Sequence, residues 1–339
     1  MHFFMSCCLS LIGLLPFSLT SASAQQSYYT GKTISLLIPA GPGGVYGSYA
    51  LILSKFLPKH IPGHPNVVPQ FLPGGGGIKA SNRLMTAPKD GLSLYLMHQN
   101  SVSQQLLTPK LVSYDVGGFD TIGLLSSLNS AMFVRHDAQA QDLEGLRKRE
   151  VVIGATGTGS YQFVVPTLLN QHQQTKLKVV TGYPGASELI LAVERGEIQG
   201  MLGSVAGVLE VRPDWMNGKG IAAAVIQIGE TPDPSIPNVP LLTTLASSEQ
   251  ERALYRFISA DNVLGRSLVT SPHTPAEAIV ALRIGFAAMI KDPEFLKIAE
   301  DRKLPMVSAN HEALKNLIDS IMRTPPDVLL MAKKIMKPE

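Results

Sequence analysis

The chain has 339 residues, with 29 basic and 26 acidic side chains and a formal net charge of +3. That length is enough for a large hydrophobic core and predicts two domains. The small positive excess does not indicate a nucleic-acid partner, although it is compatible with an acidic small ligand. Only two cysteines occur, Cys7 and Cys8, both close to the N-terminus.

Residues 1–24 are predicted to form a secretory signal peptide. They contain a short apolar run at 9–17, and Ala22-Ser-Ala24 has the small-x-small pattern of a cleavage site. The run departs from the usual signal in having no Lys or Arg before its apolar part. Cleavage before Gln25 would remove both cysteines, which excludes disulfides, thiolate metal sites and cysteine nucleophiles from the mature chain. We therefore expect a secreted, periplasmic protein.

Three segments repeat the order of a short apolar strand, a glycine-rich turn and an apolar-periodic helix. Glycine lets the backbone turn tightly, and the following helix presents unpaired N–H groups and a positive dipole end. When the strands are parallel, such turns meet at one edge of the sheet, where α/β proteins usually bind ligands. The pattern therefore predicts a site for a small anion. The strands and turns are residues 34–38 with 39–44, residues 67–71 with 73–77, and residues 151–153 with 154–160.

These turns are almost neutral, with Lys79 as the only nearby cation in the sequence. We therefore expect backbone N–H groups and hydroxyls to bind the anion. Each charge-assisted hydrogen bond contributes about 1.5–3 kcal/mol. Two or three turns together could reach micromolar affinity, about −8 kcal/mol, after the costs of association.

The remaining segments continue the alternation of strands and helices, which predicts an α/β fold with parallel strands. Predicted strands cover residues 92–97, 178–181, 199–202 and 222–226, and a predicted helix covers residues 161–173. Four prolines in residues 231–240 predict an irregular loop. The C-terminal part is predicted to be helical. Thr274 is expected to cap one helix in a capping box with Glu277, and Asp292 is expected to begin the next.

Catalytic signatures find little support in this sequence. Gly31-Lys-Thr33 lacks the first glycine of a phosphate-binding loop and precedes its strand, and a dinucleotide motif fails at Tyr46. No G-x-S-x-G motif occurs. His60 and His64 have a helical metal-ligand spacing, but Pro62 between them predicts a break in the helix. We therefore predict a binding protein and not an enzyme, with no metal or other cofactor.

Taken in order, these motifs resemble the Bug family, the extracytoplasmic solute receptors of tripartite tricarboxylate transporters. Residues 38–44 resemble the family's first strand and its P-x-x-P-G-G loop, and residues 72–82 resemble its second glycine-rich segment. The order and spacing are more specific than any single motif, and the resemblance extends over essentially the whole mature chain. Further matching segments are residues 87–91, 154–160, 183–186, 194–197, 265–276 and 291–295.

The resemblance implies a two-domain α/β fold of the type-II periplasmic-binding-protein class, with a ligand cleft at the domain interface. Domain 1 is expected to comprise residues 25–127 and 256–339, and domain 2 residues 128–255, with crossovers near Leu128 and Tyr255. The implied function is capture of a small carboxylate by hinge closure and its delivery to the permease subunits of a tripartite tricarboxylate-type transporter. The carboxylate is expected to be a di- or tricarboxylate or an aromatic acid.

Two other functions stay open from the sequence: a ligand-sensing module for a membrane sensor kinase and, with less support, a secreted hydrolase. We expect a monomer with no nucleic-acid partner. The chain has Gly47 and Gly203 where the family commonly has aspartate. This difference weakens the expectation of an amino-acid ligand. By position, the resemblance implies ligand-binding residues in five places along the chain. They are Gly43, Gly44, Tyr46 and Ser48; Gly75 and Gly76; Gln99 and Asn100; Thr156, Gly157, Thr158, Gly159 and Ser160; and Ser204.

Overall fold

A computed structural model describes residues 27–158 and 160–335 of the chain. The predicted signal peptide, residues 1–24, lies outside the described residues. Eleven strands are found in the described part. They are β1 (Thr33–Ile38), β2 (Asn66–Phe71), β3 (Ser93–Met97), β4 (Asp120–Ser126), β5 (Ser130–Arg135), β6 (Glu150–Ala155), β7 (Lys176–Thr181), β8 (Gly200–Ser204), β9 (Ala222–Ile228), β10 (Arg266–Thr270) and β11 (Ala309–Asn310).

Twelve α-helices separate or follow these strands within the same residues. They are α1 (Gly44–His60), α2 (Ile78–Met85), α3 (Ser101–Leu107), α4 (Leu143–Lys148), α5 (Tyr161–Gln173), α6 (Ala186–Arg195), α7 (Val205–Val211), α8 (Glu249–Leu264), α9 (Ala276–Met289), α10 (Pro293–Asp301), α11 (His311–Met322) and α12 (Pro326–Ile335). No helix in this part of the chain is long and apolar enough to cross a membrane.

The strands form two mixed sheets, and we call each sheet with its helices a lobe. The sheet of the first lobe has six strands in the order β11-β4-β10-β3-β1-β2. In it β1 is parallel to β2 and β3, whereas β10 runs antiparallel to β3 and β4. The sheet of the second lobe has the order β7-β6-β8-β5-β9. There β6 is parallel to β7 and β8, and β5 is antiparallel to β8 and β9.

The chain passes between the sheets twice. The first passage is the short segment 127–129 between β4 and β5, and the second is the longer segment between β9 and β10, which contains α8. Helix α8 packs against α11, α12 and α3. One buried apolar cluster includes Leu37 and Met97 of the first sheet together with Met132 and Ile153 of the second. The two lobes are therefore joined by a common core and by two chain segments.

Most predicted elements are confirmed, with shifts of a few residues at their ends. The predicted helix 161–173 coincides with α5, and residues 231–240 contain neither helix nor strand. The buried Gln227 side chain holds that loop, because its Nε2 donates to the carbonyl oxygens of Ile236 and Val239. At α10 the predicted cap is also confirmed: the Asp292 carboxylate accepts N–H groups of the first turn at 2.8 and 3.3 Å.

The capping box predicted at Thr274 is wrong. Helix α9 begins at Ala276 with Pro275 at the N-cap and no side-chain cap. The Thr274 hydroxyl instead donates to the Ser271 carbonyl at 2.8 Å, and its N–H donates to the Asp120 carboxylate at 3.0 Å. Contacts with the preceding turn and with β4 therefore outweigh the local capping preference.

Gly47 lies where no side chain fits. A Cβ at this position of α1 would lie 1.8 Å from the carbonyl oxygen of Pro42, whereas a Cβ at Gly41 would meet no atom within 4 Å. Any side chain at this position therefore requires a different course of the preceding turn. This turn also sets where α1 begins.

We expect Gly47→Ala to lower the free energy of unfolding by about 1–3 kcal/mol, because the added carbon overlaps a backbone oxygen. Intrinsic helix propensity alone would favour alanine by roughly 0.5–1 kcal/mol, so a loss of stability identifies the overlap as its cause. Urea unfolding measures the effect. Gly41→Ala is the matched control, expected within about 0.5 kcal/mol of the parent. Equal stabilities of the two variants would contradict this account of the turn.

Candidate ligand-binding site between the lobes

The glycine-rich turns of the first lobe lie at one edge of its sheet, because β1, β2 and β3 are parallel and end there. Gly43 is the N-cap of α1, and Gly44 begins that helix with a φ of 71°. Gly75 and Gly76 form a single 3-10 turn ahead of α2. The Gln104 side chain fixes this turn by donating to both glycine carbonyls, at 3.4 and 3.0 Å.

The predicted loop of the second lobe follows β6, and its side chains make hydrogen bonds within the same lobe. The Thr156 N–H and hydroxyl both donate to the Gln162 side chain, at 3.2 and 2.8 Å. The Ser160 hydroxyl donates to the Gly157 carbonyl at 2.7 Å. Thr158 is exposed, and Gly159 lies outside the described residues.

Ser204 serves as the N-cap of α7. Its hydroxyl accepts the Gly207 N–H at 3.2 Å. The Ser204 hydroxyl, at the end of β8, is therefore used in this capping bond. A binding role for Ser204 stays a prediction, as it does for the other residues carried over from the family.

The two lobes are in contact through helices α1 and α7. The Ser48 hydroxyl of α1 donates to the Glu210 carboxylate of α7 at 3.2 Å. A Cβ added at Gly207 would lie 2.7 Å from the Val45 side chain, so α1 and α7 approach each other closely. The structure therefore brings the first predicted turn of one lobe against the second lobe.

Arg266 is the main residue of the site that the sequence pattern did not indicate. It begins β10 opposite Ser126, and its neighbour Ser267 pairs with Met97 at the end of β3. Because β10 is antiparallel to β3, its first residue lies at the same sheet edge as the glycine-rich turns. The Arg266 side chain is only 3% exposed. A buried cation is thus added to a set of turns that was expected to be neutral.

Tyr46 and Gln99 hold the guanidinium of Arg266. It lies 3.8 Å from the centre of the Tyr46 ring, and its Nη1 donates to Gln99 Oε1 at 3.1 Å and to the Gly265 carbonyl at 3.2 Å. The Tyr46 hydroxyl in turn accepts the Gln99 N–H at 3.3 Å. The guanidinium is therefore fixed in orientation without a carboxylate. Among residues 27–158 and 160–335, no acidic side chain forms an ion pair with it.

The titratable groups around Arg266 are neutral at pH 7. His98 stacks on Tyr46 with ring centres 5.6 Å apart, and burial together with the Arg266 charge lowers the pKa of His98 to about 3. Burial raises the pKa of Tyr46, and it raises that of Tyr161 to about 12 although the nearby Arg266 charge acts in the opposite direction. Tyr161 begins α5, so a residue of the second lobe lies close to the same guanidinium.

Asn262 connects this group to the second lobe. Its Oδ1 accepts hydrogen bonds from Gln99 Nε2 at 2.9 Å and from the Ser130 hydroxyl at 3.0 Å, and its Nδ2 donates to the Ile228 carbonyl at 2.7 Å. Ser130 begins β5 and Ile228 ends β9. We call Arg266, Gln99, Asn262 and Ser130 the junction cluster. It is a buried chain of hydrogen bonds from one sheet to the other.

Asn100, one residue after Gln99, has no partner for its side chain. It is only 1% exposed, and neither its Oδ1 nor its Nδ2 makes a hydrogen bond within the described ranges. Buried amides are nearly always paired in folded proteins. Asn100 therefore lies where a further hydrogen-bonding group is expected.

Asp261 is a buried carboxyl beside this region. Burial raises its pKa to about 8, and the Ser103 hydroxyl, which favours the ionised form, only partly offsets the effect. The Ser103 hydroxyl donates to Asp261 Oδ2 at 2.6 Å and lies 3.1 Å from the Asn100 carbonyl.

A metal site has no support in the described part of the chain, where no three potential ligands are grouped. His60 and His64, which have metal-ligand spacing in the sequence, contact other groups. His60 Nε2 lies 2.8 Å from the Asp292 carboxylate, and His64 Nδ1 lies 3.2 Å from the Pro58 carbonyl.

No family model matches the chain. Two curated relatives match in sequence, and both are described as UPF0065 proteins. One, from Agrobacterium vitis, is 27% identical over 165 residues, which is 47% of this chain and 47% of the relative. The match thus spans about half of that protein's length. The other, from Pseudomonas sp. strain P51, is 23% identical over 239 residues, or 68% of this chain and 69% of the relative.

Solved structures match over most of the chain. The periplasmic binding protein BugD superposes with a TM-score of 0.72 at 18% identity, covering 91% of this chain and 98% of BugD. MatC from Rhodopseudomonas palustris with bound malate gives 0.68 at 17% identity, covering 91% and 99%. The R. palustris protein Rpa4515 with adipate gives 0.69 at 15% identity, covering 89% and 97%.

The resemblance to the Bug family is confirmed. The expected fold class is confirmed with it, since two mixed α/β sheets with flanking helices match the two-domain fold of these receptors. Two of the structural neighbours are described as binding proteins: a TctC solute-binding protein from Polaromonas and the periplasmic binding protein BugD.

We expect the contribution of Asp261 to the free energy of unfolding to fall as pH rises from about 4 to about 8. In that range the unfolded carboxyl has lost its proton and the folded one keeps it, so the folded state binds more protons. Asp261→Asn should abolish this part of the slope and be more stable than the parent near pH 8. Urea unfolding at several pH values measures it, with Glu150→Gln at an exposed position as control. Parallel profiles for Asp261→Asn and the parent would show that Asp261 is ionised in the fold.

Proposed function

We propose that this protein is a periplasmic solute receptor that captures a small carboxylate between its two lobes by hinge closure. In this proposal the closed form delivers the carboxylate to the permease subunits of a tripartite tricarboxylate-type transporter. Neighbours of the same fold have been solved with malate and with adipate, which supports an organic acid as the solute. The protein acts as a monomer and without a cofactor.

The observation that carries the proposal is the junction cluster. It is polar and buried, it links the two sheets, and it contains a cation that no acidic side chain of the described ranges pairs with. A group that binds there contacts both lobes at once and therefore has a higher affinity for the closed arrangement. Differential affinity of this kind shifts the population towards closure.

The domain limits belong to the same proposal. Residues 25–127 and 256–339 form domain 1, and residues 128–255 form domain 2. The segments at 127–129 and between β9 and β10, where the chain passes between the sheets, support these limits. Residues 1–24 direct the chain to the periplasm and are removed.

Binding is favoured over catalysis by the state of the polar groups around the cluster. The Ser160 hydroxyl donates within its own loop, and the Thr156 hydroxyl donates to Gln162 of α5. Burial and the Arg266 charge make His98 too weak a base to accept a proton near pH 7. A hydrolase needs a base within reach of a nucleophile. The described residues of the site provide no such pair.

The test is a binding screen on mature residues 25–339 with malate, adipate, citrate and benzoate, and with adipamide as a neutral analogue. An acid at one hundred times its dissociation constant should add about 2.7 kcal/mol of stability and raise the unfolding midpoint. Small-angle scattering should show a smaller radius of gyration with that acid. The proposal fails if only neutral solutes bind, or if an acid binds and is turned over.

A further inference from the structure

We propose that Arg266 binds one carboxylate group of the solute directly, side-on through its Nε and Nη2 edge. This inference rests on the proposed receptor function and names the group that recognises the solute. It adds a buried cation to the backbone N–H groups and hydroxyls that the sequence predicts for binding the anion.

Arg266 has no countercharge within the described part of the chain. A guanidinium that is 3% exposed has lost nearly all of its hydration. Such a loss is tolerated in folded proteins when an opposite charge lies close by. The nearby Asp261 does not supply one, because burial raises its pKa to about 8 and keeps it neutral at pH 7. The charge on Arg266 is therefore balanced only when an anion binds.

One edge of the Arg266 guanidinium is free and oriented for a carboxylate. Nη1 is used by Gln99 and Gly265, and the Tyr46 ring covers one face of the guanidinium. The Nε–H is buried and has no acceptor anywhere in the described chain. Nε and Nη2 point in parallel from one edge and match the two oxygens of a carboxylate. A hydroxyl or an amide has a single acceptor oxygen, so it cannot place one oxygen opposite each of the two donors.

The Arg266 guanidinium carries a single positive charge. Burial favours the neutral forms of His98 and Asp261, so neither adds a charge to that of Arg266. That charge matches one carboxylate. The solute class is therefore an organic acid that buries a single carboxylate at Arg266. Any second acidic group of a dicarboxylate lies away from this cluster.

Substitution of Arg266 separates this inference from general anion attraction. We expect Arg266→Met to weaken the binding of malate, adipate or benzoate by about 100-fold or more, whichever of these the parent binds, in isothermal titration calorimetry. Arg266→Lys keeps the charge but loses the planar fork, so it should also weaken binding strongly. Arg283→Met is the matched control, because Arg283 lies in the same lobe and donates its Nε–H to the Thr121 carbonyl at 3.0 Å.

Stability of the empty protein provides a second measurement that needs no solute. If Arg266 is an unbalanced charge awaiting an anion, Arg266→Met removes that charge, and its unfolding midpoint without solute should be at least as high as that of the parent. A clear fall of the midpoint would assign Arg266 a structural role and overturn the inference. This readout also decides the matter if no acid in the set binds.

The possible outcomes distinguish the role of Arg266 from the proposed receptor function. Acid binding and closure that survive Arg266→Met unchanged would overturn the role of Arg266 and leave the receptor function intact. Closure around adipamide but not around any acid would overturn both the carboxylate and its anchor. Loss of acid binding in Arg266→Met, with binding retained in Arg283→Met, supports the inference.

Discussion

The Arg266 guanidinium is the group around which the contact between the lobes is arranged. It is buried at the edge of the first sheet, where β1, β2 and β3 end, and it has no acidic partner in the described part of the chain. Tyr46, His98 and Gln99 surround it with neutral groups. Gln99 also donates a hydrogen bond to Asn262, which is bonded to the second sheet. Because this charge lies at the contact between the lobes, binding of an anion to it is coupled to contact between the lobes. The glycine-rich turns then shape the approach to that charge.

The sequence was sufficient for the fold class and for most elements, because apolar periodicity and glycine turns are local signals. Helix α5 and the cap of α10 coincide with the prediction for this reason. Arg266 could not be placed in the same way. It appears as the first residue of a short strand, and only the antiparallel pairing of β10 with β3 brings it to the edge where the turns lie. The one available signal was an arginine opening the strand Arg266–Thr270, all of whose residues are buried.

Local rules also failed where tertiary contacts compete. Thr274 carries a capping sequence, yet Asp120 and Ser271 take its hydrogen bonds. The hydroxyls of Thr156 and Ser160, predicted to bind solute, are engaged within the second lobe, so solute can reach them only if those bonds exchange. Asn100 shows the opposite situation, since its buried amide is unpaired in the described residues. Hydrogen-bonding groups are therefore engaged in the second lobe and free in the first. This difference favours the first lobe as the primary contact for a solute.

The most direct test of this account is a nuclear magnetic resonance measurement of the arginine Nε–H groups in protein labelled with nitrogen-15. The signal of Arg266 is assigned by its absence in Arg266→Lys, and the signal of Arg283 is the internal control. During titration with malate, adipate or benzoate, the account predicts a large shift of the Arg266 signal and almost none for Arg283, because a carboxylate oxygen accepts the Arg266 proton. Binding that shifts backbone signals of residues 43–48 and 156–160 but leaves Arg266 unchanged would contradict it.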